Sequence, residues 1–384
     1  MLAPLTFSNL NFFKAGVPFL LREPLKKAAA TAAKDVLAVK KGEQALIITN
    51  PQKDVLAISA AMYDAVLAEG GRPALIIQNE KDQIDFAEPA VIAAFAAKPE
   101  IVISLSSKKL GKDKNGVKNP YPYGNVSFDH IFHLLQYGEK SCRAFWSPGV
   151  TLESFCRTVR LDYAALRSSC KRAAEILTAA ESVTVKAPGG TDIKIGVLGR
   201  IAKQDDGAFS FMGSGGNLPA GEAFISPQNG TSNGVIAFDG SITLNSGDIL
   251  IRKPIICTVK DGFAVKIEGG SEAGLLRDAI KAAEASAFSM EKDGLLPKGK
   301  GAVYAKNASN IGELGIGLNV KARITGNMLE DEKAFKTCHF AIGHNYDEDA
   351  PSLIHLDGLV RLPTITAFTS SGEEIIIEKE GVLQ

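Results

Sequence analysis

The sequence predicts an α/β protein with two domains, an N-terminal parallel-sheet domain followed by a strand-rich α+β domain. Three observations support this fold class. The chain has 384 residues, which is longer than a chain with a single compact core usually is. Strand and helix patterns alternate between residues 40 and 107. After about residue 177 the pattern changes to short strands separated by turn residues, which places the predicted domains at residues 1–177 and 178–384.

The N-terminal domain is predicted from alternating apolar segments. Three short runs are typical of buried strands: ALIITN (45–50), PALIIQ (73–78) and IVISLS (101–106). VLAISAAMYDAVLAEGG (55–71) and EPAVIAAFAAKP (88–99) lie between them and predict helices. This alternation indicates a Rossmann-like parallel sheet covered by helices. Neither G-x-G-x-x-G nor a P-loop motif is present, so we predict no residue that binds an organic cofactor.

The second domain is predicted to be rich in strands. SVTVKA and TDIKIGV flank a Pro-Gly-Gly turn and indicate a hairpin. GVIAFDGSITL, PIICTV and FAVKIEGG continue as short strands. A single clear helix, SEAGLLRDAIKAAEAS (271–286), interrupts them. A mixed or antiparallel sheet is therefore expected here.

Composition narrows the classes of partner. Lys plus Arg and Asp plus Glu both number 43, so no global charge attracts nucleic acid or an anionic membrane. We expect a peptide or small-molecule substrate. Residues 1–27 contain neither a signal peptide nor an apolar span, which makes a cytoplasmic location the default expectation. The five cysteines include no C-x-x-C pair and indicate no disulfide framework.

A histidine cluster near the C-terminus is the clearest chemical signal. Three of the five histidines are His339, His344 and His355. In a strand, His355 and Asp357 of SLIHLDGLV point to the same face, and CHFAIG (338–343) predicts a neighbouring strand that carries His339. Two histidines and an aspartate suit zinc, cobalt, manganese or iron(II). The alternative, on spacing alone, is a polar patch on a strand edge.

Two glutamates could extend this cluster. Glu222 follows the glycine-rich GSGGNLPAG turn, and Glu313 is the only charged residue in IGELGIGLN. A lone carboxylate is costly to bury without a cation, although a helix N-cap or an exposed bend would also explain each one. If both join the cluster, the ligands suit two bridged ions, which would activate water for amide hydrolysis. Tyr346 could then donate a hydrogen bond to the oxyanion.

Two other polar clusters favour structural roles. We interpret the acidic run LEDEK (329–333) as a solvated turn, with Glu330 or Glu332 as possible supporting groups near the ligands. His130 and His133 are expected to lie on a helix face. No serine occupies a G-x-S-x-G motif, and no cysteine has a visible base partner, so covalent catalysis is not predicted.

Four motifs in order resemble the thermophilic metallo-aminopeptidase family of leucyl aminopeptidases, which includes aminopeptidases T and S: GGNLPAGEAFISP, IGELGIGLN, ITGNMLEDEKAFKTCHFAIG and LIHLDGLV. The resemblance covers most of residues 148–366. It implies a cytoplasmic homodimer that removes N-terminal residues from peptides with two zinc, cobalt or manganese ions. It also implies a catalytic role for Tyr346, and Glu313 or Glu222 could serve as base. The implied metal ligands are Glu222, Glu313, His339, His355 and Asp357.

The same fold is similar to that of 2,5-dihydroxypyridine 5,6-dioxygenase, which holds one iron(II) through two histidines and an aspartate. His339, His355 and Asp357 would satisfy that triad. Glu222 and Glu313 favour two metals and hydrolysis, because one iron needs neither. We therefore predict a metal-dependent aminopeptidase, with a ring-cleaving dioxygenase as the alternative and a non-catalytic metal-binding protein as a third possibility.

Overall fold

The computed structural model describes residues 18–82 and 85–384, so most of the segment predicted to lack a signal peptide lies outside the described residues. The chain forms two compact units. One comprises Met1–Tyr163 with Gly207–Ala220, and the other Ala164–Asp206 with Gly221–Gln384. This division differs from a boundary after residue 177, because a helix that begins at Tyr163 belongs almost wholly to the second unit.

The strands follow in chain order: β1 (Gln44–Thr49), β2 (Arg72–Ile77), β3 (Ile101–Leu105), β4 (Tyr121–Tyr123), β5 (Val126–Phe128), β6 (Arg143–Trp146), β7 (Ala180–Lys186), β8 (Asp192–Gly196), β9 (Lys203–Asp205), β10 (Gly215–Asn217), β11 (Glu222–Ile225), β12 (Asn233–Phe238), β13 (Ser241–Leu244), β14 (Gly247–Leu250), β15 (Ile255–Lys260), β16 (Phe263–Glu268), β17 (Ile311–Gly317), β18 (Thr337–Gly343), β19 (His355–Arg361), β20 (Thr364–Thr369), β21 (Glu374–Lys379) and β22 (Val382–Leu383).

The α-helices are α1 (Phe19–Thr31), α2 (Lys53–Ala68), α3 (Pro89–Ala96), α4 (Lys114–Lys118), α5 (Ile131–His133), α6 (Leu152–Thr158), α7 (Tyr163–Ala179), α8 (Ser271–Lys292), α9 (Lys300–Lys306) and α10 (Met328–Asp331). Wider or tighter helical turns extend α1, α5 and α9 over Ala32–Val36, Leu134–Gly138 and Asn307–Ser309.

The first unit contains the predicted parallel sheet. Its strand order is β10-β6-β3-β1-β2, and all four neighbouring pairs are parallel. Strand β3 is buried along its whole length and β1 along all but its first residue. Continuous apolar runs form such strands because both faces of a parallel sheet are covered. Phe95 of α3 packs with Leu46 and Val102 of the sheet in one core.

The second unit contains two antiparallel sheets. The seven-stranded sheet has the order β14-β13-β19-β18-β17-β11-β9, and the eight-stranded sheet has the order β16-β15-β12-β8-β7-β20-β21-β22. The predicted hairpin is β7 and β8, and the predicted helix is α8. The α/β fold class, with a parallel N-terminal sheet and strand-rich sheets after it, is therefore confirmed. Strands β17 and β18 are buried at every residue, which places their side chains out of water.

The cysteines and the helices add two further observations. All five cysteines are buried and unpaired. Within the described residues, no helix combines the length and the apolar character needed to span a bilayer.

Candidate metal centre

The five predicted metal ligands lie on four neighbouring strands of the seven-stranded sheet. His355 and Asp357 belong to β19, His339 to β18, Glu313 to β17 and Glu222 to β11. Four register pairs relate them: Asp357 with Ala341, Ala341 with Glu313, His339 with Gly315, and Glu222 with Gly317. Opposed residues share a face, and so do residues two apart in a strand. The structure therefore brings all five side chains to one face of the sheet.

Strand β17 makes room for these side chains with glycines. A Cβ atom at Gly315 would lie 2.1 Å from both Cε1 and Nε2 of His339. A Cβ atom at Gly317 would lie 2.2 Å from the carbonyl oxygen of Ala334. Real Cβ atoms essentially never approach other atoms this closely. Of positions 313, 315 and 317, which lie on the same face of β17, only Glu313 therefore carries a side chain.

The ligand atoms form two groups that share one residue. Glu222, Glu313 and His339 form the first group, and Glu313, His355 and Asp357 form the second, with the ligand atoms of each group within 4.8 Å of one another. Glu313 Oε1 lies 3.0 Å from His339 Nε2, and Glu313 Oε2 lies 3.7 Å from His355 Nε2. The Glu313 carboxylate therefore belongs to both groups, with one oxygen near each histidine.

The unsatisfied oxygens of this site fit metal ions. Within the part of the chain that the structure describes, Glu222 Oε2 and Glu313 Oε2 are buried without a hydrogen-bond partner. Buried polar atoms are normally paired, and a carboxylate without compensation is costly. Carboxylate oxygens and imidazole nitrogens together suit divalent ions such as zinc, cobalt, manganese or iron(II).

A backbone contact orients His355. Its Nδ1 donates a hydrogen bond of 2.8 Å to the carbonyl oxygen of His344. That bond directs the other ring nitrogen, Nε2, toward Glu313 and Asp357. A metal-binding histidine is commonly oriented in this way, by a hydrogen bond at the nitrogen that does not bind the metal. His344, the third clustered histidine, thus contributes through its carbonyl group. Within the described residues its ring belongs to neither ligand group.

Mutual attraction between the ligands changes their protonation in the metal-free protein. Burial opposes a charge on His339, but the hydrogen bond to Glu313 and the charge of Glu222 outweigh it and raise the His339 pKa to about 9. Burial also opposes a charge on His355, and Asp357 outweighs it and raises that pKa to about 10. Conversely, His355 outweighs burial and lowers the pKa of Asp357 to about 2. Protons thus occupy the positions that cations would take.

Lys333 is a central residue that the sequence did not reveal. Its side chain is 0% exposed. Its Nζ lies 2.6 Å from Glu222 Oε1, 2.5 Å from Glu332 Oε1 and 3.4 Å from Asp205 Oδ2. Since a buried lysine needs such partners, this ammonium group is a fixed part of the site. It occupies one oxygen of Glu222 and leaves the other, Oε2, 3.6 Å from His339 Nε2.

The prediction that LEDEK forms a solvated turn is wrong. Glu330, Asp331 and Lys333 are all buried. The carboxylates of Glu330 and Asp331 accept hydrogen bonds from backbone N–H groups at Arg323, Thr325 and Gly326. These bonds favour the burial of the two carboxylates, because each carboxylate accepts hydrogen bonds inside the fold. A run of charges normally indicates solvent exposure, so the sequence carried no signal for this arrangement.

Tyr346 lies beside the second ligand group. Its ring centroid is 4.9 Å from that of His355, and its side chain remains partly open, with 47% of the residue exposed. Its carbonyl oxygen accepts a hydrogen bond of 2.5 Å from Lys203 Nζ. Burial, followed by the charges of Glu313 and Asp357, raises the pKa of its phenol, which keeps the hydroxyl protonated as a hydrogen-bond donor.

His130 and His133 lie in the first unit: His130 is the N-cap residue that precedes α5, and His133 is the last residue of α5. His130 Nδ1 accepts a hydrogen bond from the Phe132 N–H, and its Nε2 lies 3.2 Å from the carbonyl oxygen of Gly111. Within the described residues neither histidine belongs to a group of potential metal ligands. Only His133 is therefore helical, since His130 has an extended backbone just before α5, and both ring nitrogens of His130 have local partners.

Comparisons with known proteins agree with this fold. The family model for NicX, 2,5-dihydroxypyridine 5,6-dioxygenase, matches residues 158–342. No curated protein matches the chain. The solved structure of 2,5-dihydroxypyridine dioxygenase from Pseudomonas putida KT2440 is similar over 94% of this chain and 96% of that one, with a TM-score of 0.66 and 16% identity. Wild-type AmpT from Thermus thermophilus is similar over 94% and 99%, with a TM-score of 0.62 and 16% identity.

Both predicted resemblances are confirmed. At this level of identity the two structures establish a shared fold. The region matched by the NicX family model contains Glu222, Glu313 and His339 and ends before His355 and Asp357. Together with the ligand groups, the comparisons support an enzyme with a metal centre.

Proposed function

We propose that the protein is a metal-dependent aminopeptidase, in which the two ligand groups that share Glu313 would hold two divalent ions. The observation that carries this proposal is the sharing of Glu313 by two three-ligand groups. A single iron held by two histidines and an aspartate would leave Glu222 Oε2 buried and unpaired. Two ions give both groups, and both glutamates, a partner.

The roles of the chain's own residues follow from their positions. When bound, the two ions supply a polarised carbonyl group and a more acidic water. The five candidate ligands would hold them, and the His344 carbonyl keeps His355 Nε2 directed at its group. Tyr346, protonated and partly open, is positioned to donate a hydrogen bond to the oxyanion. A cytoplasmic homodimer, as the resemblance implies, belongs to this proposal.

A second candidate is an iron(II) ring-cleaving dioxygenase acting on a dihydroxypyridine. The NicX family model over residues 158–342 favours this reaction specifically. His339, His355 and Asp357 would then form the iron triad. The comparisons favour this candidate, whereas the ligand geometry favours the first, since each compact group in the described part of the chain contains Glu313.

Metal content and turnover discriminate between the candidates. Purified protein would be stripped, reloaded separately with zinc, cobalt, manganese or anaerobic iron(II), and analysed for bound metal per chain. About two ions per chain and chelator-sensitive cleavage of aminoacyl anilides would support the peptidase. One iron with oxygen uptake on 2,5-dihydroxypyridine would support the dioxygenase instead. Metal binding without either turnover would favour the non-catalytic reading, and no bound metal would refute both enzymes.

A further inference from the structure

Tyr346 lies on the loop of residues 344–354, which joins β18 to β19, and not on a strand. Loops between strands are usually more mobile than the strands themselves. A side chain that donates a hydrogen bond to a transition state must nevertheless be held in place, because a displacement of about 1 Å can cost about 10² in rate. The contacts that fix this loop therefore determine where the Tyr346 hydroxyl lies.

Arg200 joins two acidic residues of this loop. Its Nη1 lies 3.5 Å from Asp347 Oδ2, and its Nη2 donates a hydrogen bond of 2.7 Å to Asp349 Oδ2. Nη2 also donates a hydrogen bond of 3.2 Å to the carbonyl oxygen of Pro227. The Arg200 side chain is 14% exposed, so water has little access to these contacts. One planar guanidinium group thus ties two carboxylates of the loop to the backbone at Pro227.

Lys203 holds the loop at Tyr346 itself. Its Nζ donates a hydrogen bond of 2.5 Å to the Tyr346 carbonyl oxygen, and the same Nζ lies over the Tyr346 ring, 5.6 Å from its centroid. It is also 3.9 Å from Asp347 Oδ1. Lys203 is the first residue of β9 and lies opposite Phe224 of β11, whose ring makes an edge contact with the Tyr346 ring at 5.6 Å between centroids. The loop is therefore held from two neighbouring strands of the sheet.

We propose that Arg200 and Lys203 are positioning residues that fix this loop so that the Tyr346 hydroxyl meets the oxyanion. The inference rests on the aminopeptidase function proposed above. In this role neither side chain touches the substrate, and each acts through the backbone that carries the tyrosine. Ion pairs at a partly exposed loop contribute little to the stability of a fold. Their loss should therefore displace Tyr346 without unfolding the protein.

Lys203→Met removes the hydrogen-bond donor and keeps the aliphatic stem of the side chain. We expect kcat to fall by about 10–10², with KM and the number of bound metal ions unchanged, because the hydroxyl acts in the transition state. Lys203→Arg, which restores a donor, should recover most of kcat. Lys194→Met is the matched control, because Lys194 is also exposed and lies over an aromatic ring, that of Phe368. Wild-type kcat in Lys203→Met, or a loss of bound metal, would overturn the proposal.

A double-mutant cycle separates action through Tyr346 from a direct role of the lysine. If Lys203 acts by placing the phenol, Lys203→Met lowers kcat no further in a protein that already carries Tyr346→Phe. Losses that multiply in the double variant would show that Lys203 acts independently of the hydroxyl, and they would contradict the positioning role.

Hydrogen exchange tests the loop without any substrate. Arg200→Gln removes the charge that Asp347 and Asp349 share, and we expect the amides of residues 344–350 to exchange at least about tenfold faster, while those of β18 keep the wild-type rate. Arg200→Lys keeps the charge but cannot reach both carboxylates in the same way, so its exchange rate should be intermediate. Unchanged exchange in Arg200→Gln would refute the inference even in an active enzyme.

Failure of the proposed function would give a different result. A wild-type protein that binds metal but cleaves no peptide would refute the aminopeptidase function, and with it the role of the loop at the oxyanion. It would do so even if Arg200→Gln accelerated exchange as expected, because exchange depends on the loop contacts and not on turnover.

Discussion

Gly315 of β17 faces the imidazole of His339 on β18 so closely that a Cβ atom there would lie 2.1 Å from Nε2. The overlap involves the nitrogen that His339 offers to the first group of candidate ligands. Since β17 and β18 are buried along their whole length, neither strand has free space into which it can shift. Glycine at position 315 is therefore required for the observed placement of the His339 ring.

Gly315→Ala should displace the His339 ring and reduce bound metal from about two ions per chain to one or none. We expect overpacking to lower stability by about 1–3 kcal/mol as well. Metal analysis and thermal unfolding measure the two effects. The control is Gly274→Ala in α8, where the nearest atom to the new Cβ is 3.7 Å away. Full metal content in Gly315→Ala would show that His339 is not a ligand.

Glu313→Gln tests whether the Glu313 carboxylate is shared by two metal ions. The amide keeps the size of the side chain but cannot offer two charged oxygens to two ions. We expect the variant to fold, to bind fewer than two ions and to lose peptide hydrolysis. Metal titration followed by the anilide assay would measure this. Undiminished activity would remove Glu313 from the mechanism.

Lys333→Met tests the buried ammonium group. The change leaves the carboxylates of Asp205, Glu222 and Glu332 without their shared cation. Breaking a buried ion pair in this way costs about 3–5 kcal/mol, and we expect that loss in the metal-free protein. Added divalent ions should recover part of it, because they supply positive charge at Glu222. Exposed Lys281→Met is the control; equal unfolding temperatures for the two metal-free variants would contradict the role of Lys333.

Some of this site follows from sequence periodicity, and some depends on distant pairing. Alternation in β19 predicts that His355 and Asp357 share a face, and the structure has both on one side of the sheet. The buried lysine could not be found in this way. Lys333 meets Glu222 across 111 residues of sequence, and no local pattern encodes that contact. The bridging position of Glu313 likewise depends on distances between side-chain atoms on three strands.

Tyr346→Phe removes the phenolic hydroxyl and keeps the ring against His355. If Tyr346 stabilises the oxyanion, kcat should fall by about 10²–10³, while bound metal stays at the wild-type level. Steady-state kinetics with metal analysis provides the comparison. A lower metal content would show that the tyrosine acts on the ligands, and an unchanged kcat would exclude it from catalysis.

Proton release should accompany metal binding, because the same histidines hold protons in the metal-free protein. Their pKa values are raised to about 9 for His339 and about 10 for His355. Such a shift stabilises the folded protein fully below the unfolded value of about 6.5, and the stabilisation is lost as pH rises through 9 to 10. The metal-free protein should therefore lose stability in alkali, as thermal unfolding between pH 6 and 10.5 would show.

The same protons must leave when metal enters. Near pH 7.5, loading both groups should release on the order of two protons per chain, and the apparent metal affinity should rise with pH up to about 10. A pH indicator in weak buffer measures the release. His339 is the more deeply buried of the two histidines, and the variant His339→Asn should release fewer protons than the wild type. Metal uptake with no proton release at pH 7.5 would mean that both histidines are neutral in the metal-free protein. That result would contradict the ion pairs that His339 forms with Glu313 and His355 forms with Asp357.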